Sequence, residues 1–171
     1  RGQGINSLAI MARDDIWGAD LAQRTGEEFQ ALGGNVLASV TYPVTATNYS
    51  NELTTLSNAV RTGTAAHTAV LTASFDEITD IFLQAANFSP LATVKWYGGD
   101  GSAQNERLAA NPTAAAYAAS RNFTSPIEHV FISHSPQPNS IPKLIIRDDI
   151  REAYNGIPAL YAYPAWDVLW I

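Results

Sequence analysis

The sequence predicts an α/β fold: an open parallel sheet with helices on both faces, a three-layer α/β/α lobe, followed by C-terminal helices. Three observations predict it. Residues 5–42 read as strand, helix, strand, one βαβ unit whose strands run parallel. The same alternation then continues to about residue 110 without an internal repeat. The composition, 46% hydrophobic and 15% charged over 171 residues, is that of a chain that buries a core.

The elements follow in order. Ile5, Leu8, Ile10 and Met11 form an apolar run of strand length, the pattern of a strand covered on both faces. Asp14 and Asp15 offer acceptors to the free N–H groups of a helix start. That helix sets Leu21, Ala22, Thr25, Phe29 and Leu32 on one stripe and ends at Gly33-Gly34. Asn35–Tyr42 is the second strand. Tyr49–Val60 is a helix with Leu53, Leu56 and Val60 on one face, and Ala65–Thr72 is the third strand. Ser74 and Asp76 are candidate caps for a helix that turns Ile78, Ile81, Phe82 and Ala85 inward. Thr93–Tyr97 is the fourth strand, and Gly98-Gly99-Asp100-Gly101 is a tight turn. Ser102–Ala110 reads as a short helix closed by Asn111-Pro112, ahead of an Ala-rich stretch, Thr113–Ser120. After Asn122 prolines crowd the chain, so no long uninterrupted element is expected there. Phe123–Ile132 reads as an extended crossing segment, and Lys143–Tyr154 and Leu160–Ile171 as helices, the last apolar nearly all round.

Several function classes are excluded or disfavoured. Net charge is -6, with only 10 Lys plus Arg and those scattered, which argues against a nucleic-acid surface. No stretch is long and apolar enough for a membrane span. With no cysteine there is no disulfide and no thiol nucleophile. The GGDG turn is not a dinucleotide fingerprint, and neither a P-loop nor a nucleophile elbow occurs. His67, His129 and His134 lack partners at metal-ligand spacing, so no metal and no cofactor is expected. Carboxylates at three strand ends admit a magnesium phosphoryl site, but no Lys or Ser/Thr is arranged to hold a phosphate. Three N-x-[ST] triplets, at Asn48, Asn87 and Asn122, permit an extracytoplasmic setting and no more.

In an open α/β sheet, ligands bind beyond the carboxyl ends of the strands. That edge carries Asp14, Asp15, Trp17, Tyr42, Phe75, Asp76 and Asp100. Aromatic faces and carboxylates together suit a small cationic or zwitterionic ligand. Each residue also has a plainer role. Asp14 and Asp15 serve as helix caps, Trp17 and Phe75 serve equally as core, and Asp100 is an ordinary turn residue.

The segment DDIWGADLAQRTGEEFQALGGNVLASVTYPVTATNYSNEL resembles the start of the second lobe of type I periplasmic solute-binding proteins. These are the branched-chain amino-acid receptors of ABC transporters, also called the extracellular ligand-binding receptor family. The likeness rests on Asp15, Trp17-Gly18, Glu27, Phe29, Gly33-Gly34 and Asn48-Tyr49-Ser50. VKWYGGDGSAQN, NFTSPI and LYAYPAWDVLWI match later family segments in the same order. The resemblance implies one complete lobe at residues 5–122. Residues 123–171 would then be a crossover and two helices of the first lobe, the rest of which lies outside this sequence, both ends being cut from a longer protein. It implies a ligand-binding rather than catalytic protein, placed outside the cytoplasmic membrane and partnered by a permease. A sensory receptor or effector-binding regulator of the same fold is the alternative, and a flavodoxin-like or phosphatase-like enzyme a third. By the same resemblance Trp17, Ser74 and Phe75 wall the ligand, and Asp100 takes its ammonium group. The last helix, left without its sheet, is expected to drive self-association.

Overall fold

The computed structural model describes residues 4–103 and 105–125, all within the first of the chain's two compact units, Arg1–Glu128. The two helices expected to belong to the other lobe, and the self-association through the last of them, lie outside the described residues.

Four parallel strands form the sheet among the described residues, in the order β2-β1-β3-β4. They are β1 (Ser7–Arg13), β2 (Asn35–Tyr42), β3 (Thr68–Ala73) and β4 (Lys95–Gly98). The helices are α1 (Ile16–Ala31), α2 (Ser50–Val60), α3 (Ile78–Ala85), α4 (Glu106–Ala110) and α5 (Pro112–Ser120). This is the open parallel α/β sheet that the sequence predicts.

Side chains on a strand alternate between faces, and β1 shows what that does here. Leu8, Ile10 and Ala12 join Ala69, Leu71 and Ala73 of β3 under α1. Ala9 and Met11 join Val70 and Trp96 under α2, α3 and α5. Both faces of β1 are therefore dry, which is why its sequence is a continuous apolar run rather than an alternating one.

Local signals set the helix ends. Asp15 is the N-cap of α1, accepting from the Gly18 amide at 2.8 Å. Gly33, at φ 81°, ends that helix in the left-handed region, and the Gly34 amide returns to the Phe29 carbonyl at 2.9 Å. Buried Gly18, Ala22 and Gly26 form the stripe that meets the sheet, while Leu32, expected on it, is 59% exposed one residue past the last turn. Asn122, at φ 50°, does for α5 what Gly33 does for α1. The chain then turns beside β4, where Thr124 bridges Tyr97 in parallel and its carbonyl accepts from the Gly98 amide.

Three expectations need correction. Ala65–His67 is a single 3-10 turn rather than strand, because the His67 amide bonds back to the Thr64 carbonyl; β3 starts at Thr68. Ser102–Ala110 is not one helix. Asp100–Ser102 is one 3-10 turn, and α4 starts afresh where the Asn105 side chain accepts from the Leu108 amide. Asn111-Pro112 closes α4 and also opens α5, with Asn111 accepting from the Ala114 amide and Pro112 in the first turn. At α3 the N-cap is Glu77, without a capping side-chain bond, so neither Ser74 nor Asp76 has that role.

Candidate functional site

The sheet order reverses at β1: β2 lies on one side of it and β3 on the other. The crevice beyond the carboxyl ends of β1 and β3 is thus the switch point of this sheet. Trp17, in the first turn of α1, reaches it from β1. Phe75, in the loop after β3, reaches it from the other side. Their ring centroids are 4.6 Å apart at an interplanar angle of 38°.

The GGDG turn closes on this pair. A Cβ added at Gly99 would lie 3.4 Å from Cζ2 of Trp17 and 3.0 Å from Cδ2 of Leu21. One at Gly101 would lie 2.8 Å from Cδ1 of Phe75 and 2.8 Å from the Ser74 carbonyl. Glycine lets the backbone of the turn come against both rings, and Asp100 sits between these two glycines. The structure therefore brings Trp17, Phe75 and the Asp100 turn together. Ser74 is different. It is 0% exposed and its hydroxyl lies 2.6 Å from that of Thr72, so its side chain points into the protein and does not line the crevice.

Beneath the rings lies a charge network that the sequence does not announce. Arg13, the last residue of β1, places Nε on Oδ2 of Asp15 at 2.5 Å and Nη1 on Oε1 of Glu77 at 3.1 Å. Its Cζ is 4.7 Å from the Phe75 ring centroid. The Tyr42 hydroxyl donates to the same Glu77 oxygen at 3.0 Å. A basic residue closing an apolar strand ahead of two Asp is a signal that sequence reading could have used. Glu77 carries none, because its partner lies 64 residues away.

Burial, and then the neighbouring Glu77 charge, push the Tyr42 hydroxyl far above its ordinary range. Burial pushes Tyr117 up to about 12 from an ordinary value of 10.0. A tyrosine whose folded pKa is raised ionises more readily in the unfolded chain. Stability is therefore intact below pH 10 and falls as pH rises from 10 toward 12. Alkaline titration is expected to give unfolding, by circular dichroism, together with the appearance of tyrosinate absorbance. Ionisation of Tyr42 or Tyr117 in a chain still folded would contradict this.

Elsewhere on the edge, Asp14 is exposed and uses its amide, not its side chain, on the Tyr42 carbonyl. Asp76 Oδ1 accepts from Asn105 Nδ2 at 3.0 Å. His67 lies at the other end of β3, with Nδ1 2.8 Å from the Gly4 carbonyl. Among the described residues no group of three or more His, Cys, Asp or Glu is arranged to hold a metal ion. None of their helices is long and apolar enough to cross a membrane. The edge offers apolar faces and fixed charges, the means of recognition.

The open parallel sheet, in this order and with these crossings, has the fold of a lobe of the type I periplasmic-binding-protein kind. The chain belongs to the family described as the receptor family ligand binding region, whose model matches residues 2–171. That is a ligand-binding family and not an enzyme family. The fold is similar to that of a leucine-binding protein, LivK, of Thermotoga maritima, with TM-score 0.61 and 18% identity over 99% of this chain and 45% of that one. It is also similar to a putative branched-chain amino acid ABC transporter protein of Rhodospirillum rubrum, with TM-score 0.56 and 17% identity over 94% and 42%. An uncharacterized protein of Methanocaldococcus jannaschii is 23% identical over 168 residues, 98% of this chain and 38% of the relative. The chain thus spans less than half the length of the proteins it matches.

Proposed function

We infer that this chain is the second lobe of a solute-binding protein serving an ABC transporter outside the cytoplasmic membrane. It captures a small amino acid of the branched-chain type, or a related amide, between two hinged lobes, and the closed form is what a permease recognises. Residues 5–122 form the lobe, and the remainder belongs with its partner lobe. The observation that carries this reading is the Trp17–Phe75 pair at the switch point with Asp100 in the turn against it. The rings supply an apolar wall, and Asp100 supplies a counter-charge for an α-ammonium group. Phe75 brings no hydroxyl, so it packs against a ligand side chain without selecting for polarity.

Calorimetric titration of the intact two-lobe protein with leucine, isoleucine, valine and short aliphatic amides tests this. One of them is expected to bind, and Asp100→Ala to abolish that binding. Affinity unchanged by Asp100→Ala would remove Asp100 from the site. Absence of binding across the panel would overturn the assignment of substrate class. The family also describes receptor domains, and a signalling segment in the same polypeptide would move the reading from transport to sensing with the same lobe and site.

A further inference from the structure

Both rings of the proposed ligand wall are tied to one side chain that touches neither solvent freely nor, on the reading above, the ligand. Arg13 is the last residue of β1 and only 20% of its side chain is exposed. One nitrogen holds Asp15, whose other oxygen caps α1 through the Gly18 amide. That cap fixes the turn of helix from which Trp17 projects. A second nitrogen holds Glu77, at the start of α3, which Tyr42 also bonds. The guanidinium carbon lies over the ring of Phe75, in the loop just ahead of Glu77. Phe75 in turn is pressed by Gly101 and stacked on Trp17.

We propose that Arg13 is a positioning residue that holds Trp17 and Phe75 in their paired geometry, so that the ligand meets a preformed wall. The role requires arginine. A planar fork can engage two carboxylates and still stack on a ring, whereas a lysine ammonium on a flexible stem reaches one carboxylate and cannot lie flat on Phe75. Without the cation, Asp15 and Glu77 lose the counter-charge they share, and the Asp15 cap loses the group that orients it. A preformed wall matters to affinity because rings ordered before binding need not be ordered by it. The proposal rests on the ligand-wall reading only for its effect on binding; the effect on the rings is independent of any ligand.

The test uses the full-length protein labelled with fluorotryptophan, its Trp17 resonance assigned through Trp17→Phe. Arg13→Met is expected to shift and broaden the Trp17 fluorine line while the line of Trp96, buried in the core of the opposite face, stays in place. Arg13→Lys is expected to shift it in the same way despite keeping the charge. Leucine affinity by calorimetry is expected to fall about tenfold or more in both variants. A Trp17 line unmoved in Arg13→Met overturns the proposal, as does leucine affinity equal to wild type with the line displaced. If Arg13→Met does not fold, the Arg13→Lys line decides by the same criterion. If the wild-type protein does not bind leucine, it is the substrate reading that fails, and the fluorine line alone decides the role of Arg13.

Discussion

Replacing Phe82 by alanine is expected to cost about 3–5 kcal/mol of stability, the range for a large aromatic removed from a core that relaxes only in part. Phe82 is fully buried on α3. Its ring meets Trp96 of β4 edge-on at 5.3 Å, Phe123 at 4.9 Å and Tyr117 of α5 at 5.4 Å. One side chain therefore joins α3, β4, α5 and the turn that follows α5. Domains of ordinary stability have about 5–15 kcal/mol in total, so the loss takes a large share of it. Urea unfolding should show a lower midpoint with the slope preserved. Phe82→Leu, which keeps most of the volume, is expected to lose much less. Equal losses from the two variants would show that filled volume alone is not what holds this junction.

Gly18→Ala carries the second large effect, and there the sign is what matters. Alanine in a helix interior is ordinarily favoured over glycine by about 0.5–1 kcal/mol. At Gly18, however, a Cβ would run into the Arg13 carbonyl oxygen and lie 2.8 Å from Arg13 Cγ. The obstacle is backbone at the end of β1, and the Gly18 amide is itself held by Asp15. Overpacking of this kind costs about 1–3 kcal/mol, which outweighs the helix gain. At Gly26, two turns along the same face, a Cβ would make ordinary contacts with Ile10 Cδ1 at 3.6 Å and Val36 Cγ2 at 3.9 Å. Gly26→Ala should accordingly stabilise while Gly18→Ala destabilises. Thermal melting of the two variants side by side checks the pair, and a stabilising Gly18→Ala would contradict the close packing of α1 on β1.

These examples also show why the lobe was easier to read than its edge. β1, α1 and β2 are legible because each carries its own instructions: an apolar run covered on both faces, a capping Asp, a glycine in the left-handed region. The aromatic–Gly pair at Trp17-Gly18 is legible too, and the structure supplies its cause, since only glycine fits against Arg13. Local pattern fails where two short devices follow each other. The 3-10 turn of Asp100–Ser102 and the helix that Asn105 starts lie within a few residues, so a sequence window averages them into one. It fails again at Ser74, because being in the loop after β3 does not fix which way a side chain turns. The network of Arg13, Glu77 and Tyr42 is least legible of all. It joins the ends of β1 and β2 and the start of α3, and exists only once the sheet has placed them side by side.

The order of the sheet also governs how the chain assembles. The central strand acquires its first neighbour from residues 35–42, but its other edge stays open until Thr68 arrives opposite Ser7. Every pairing spans a crossover, so none is made by a quick local hairpin, and loops must close before contacts reward them. During synthesis the apolar ribbon 8–12 must therefore remain unmatched on one side while some sixty further residues emerge, as the pairing of Ser7 with Thr68 requires. Until β3 arrives, that ribbon is the part of the nascent chain with most to gain from pairing with another strand.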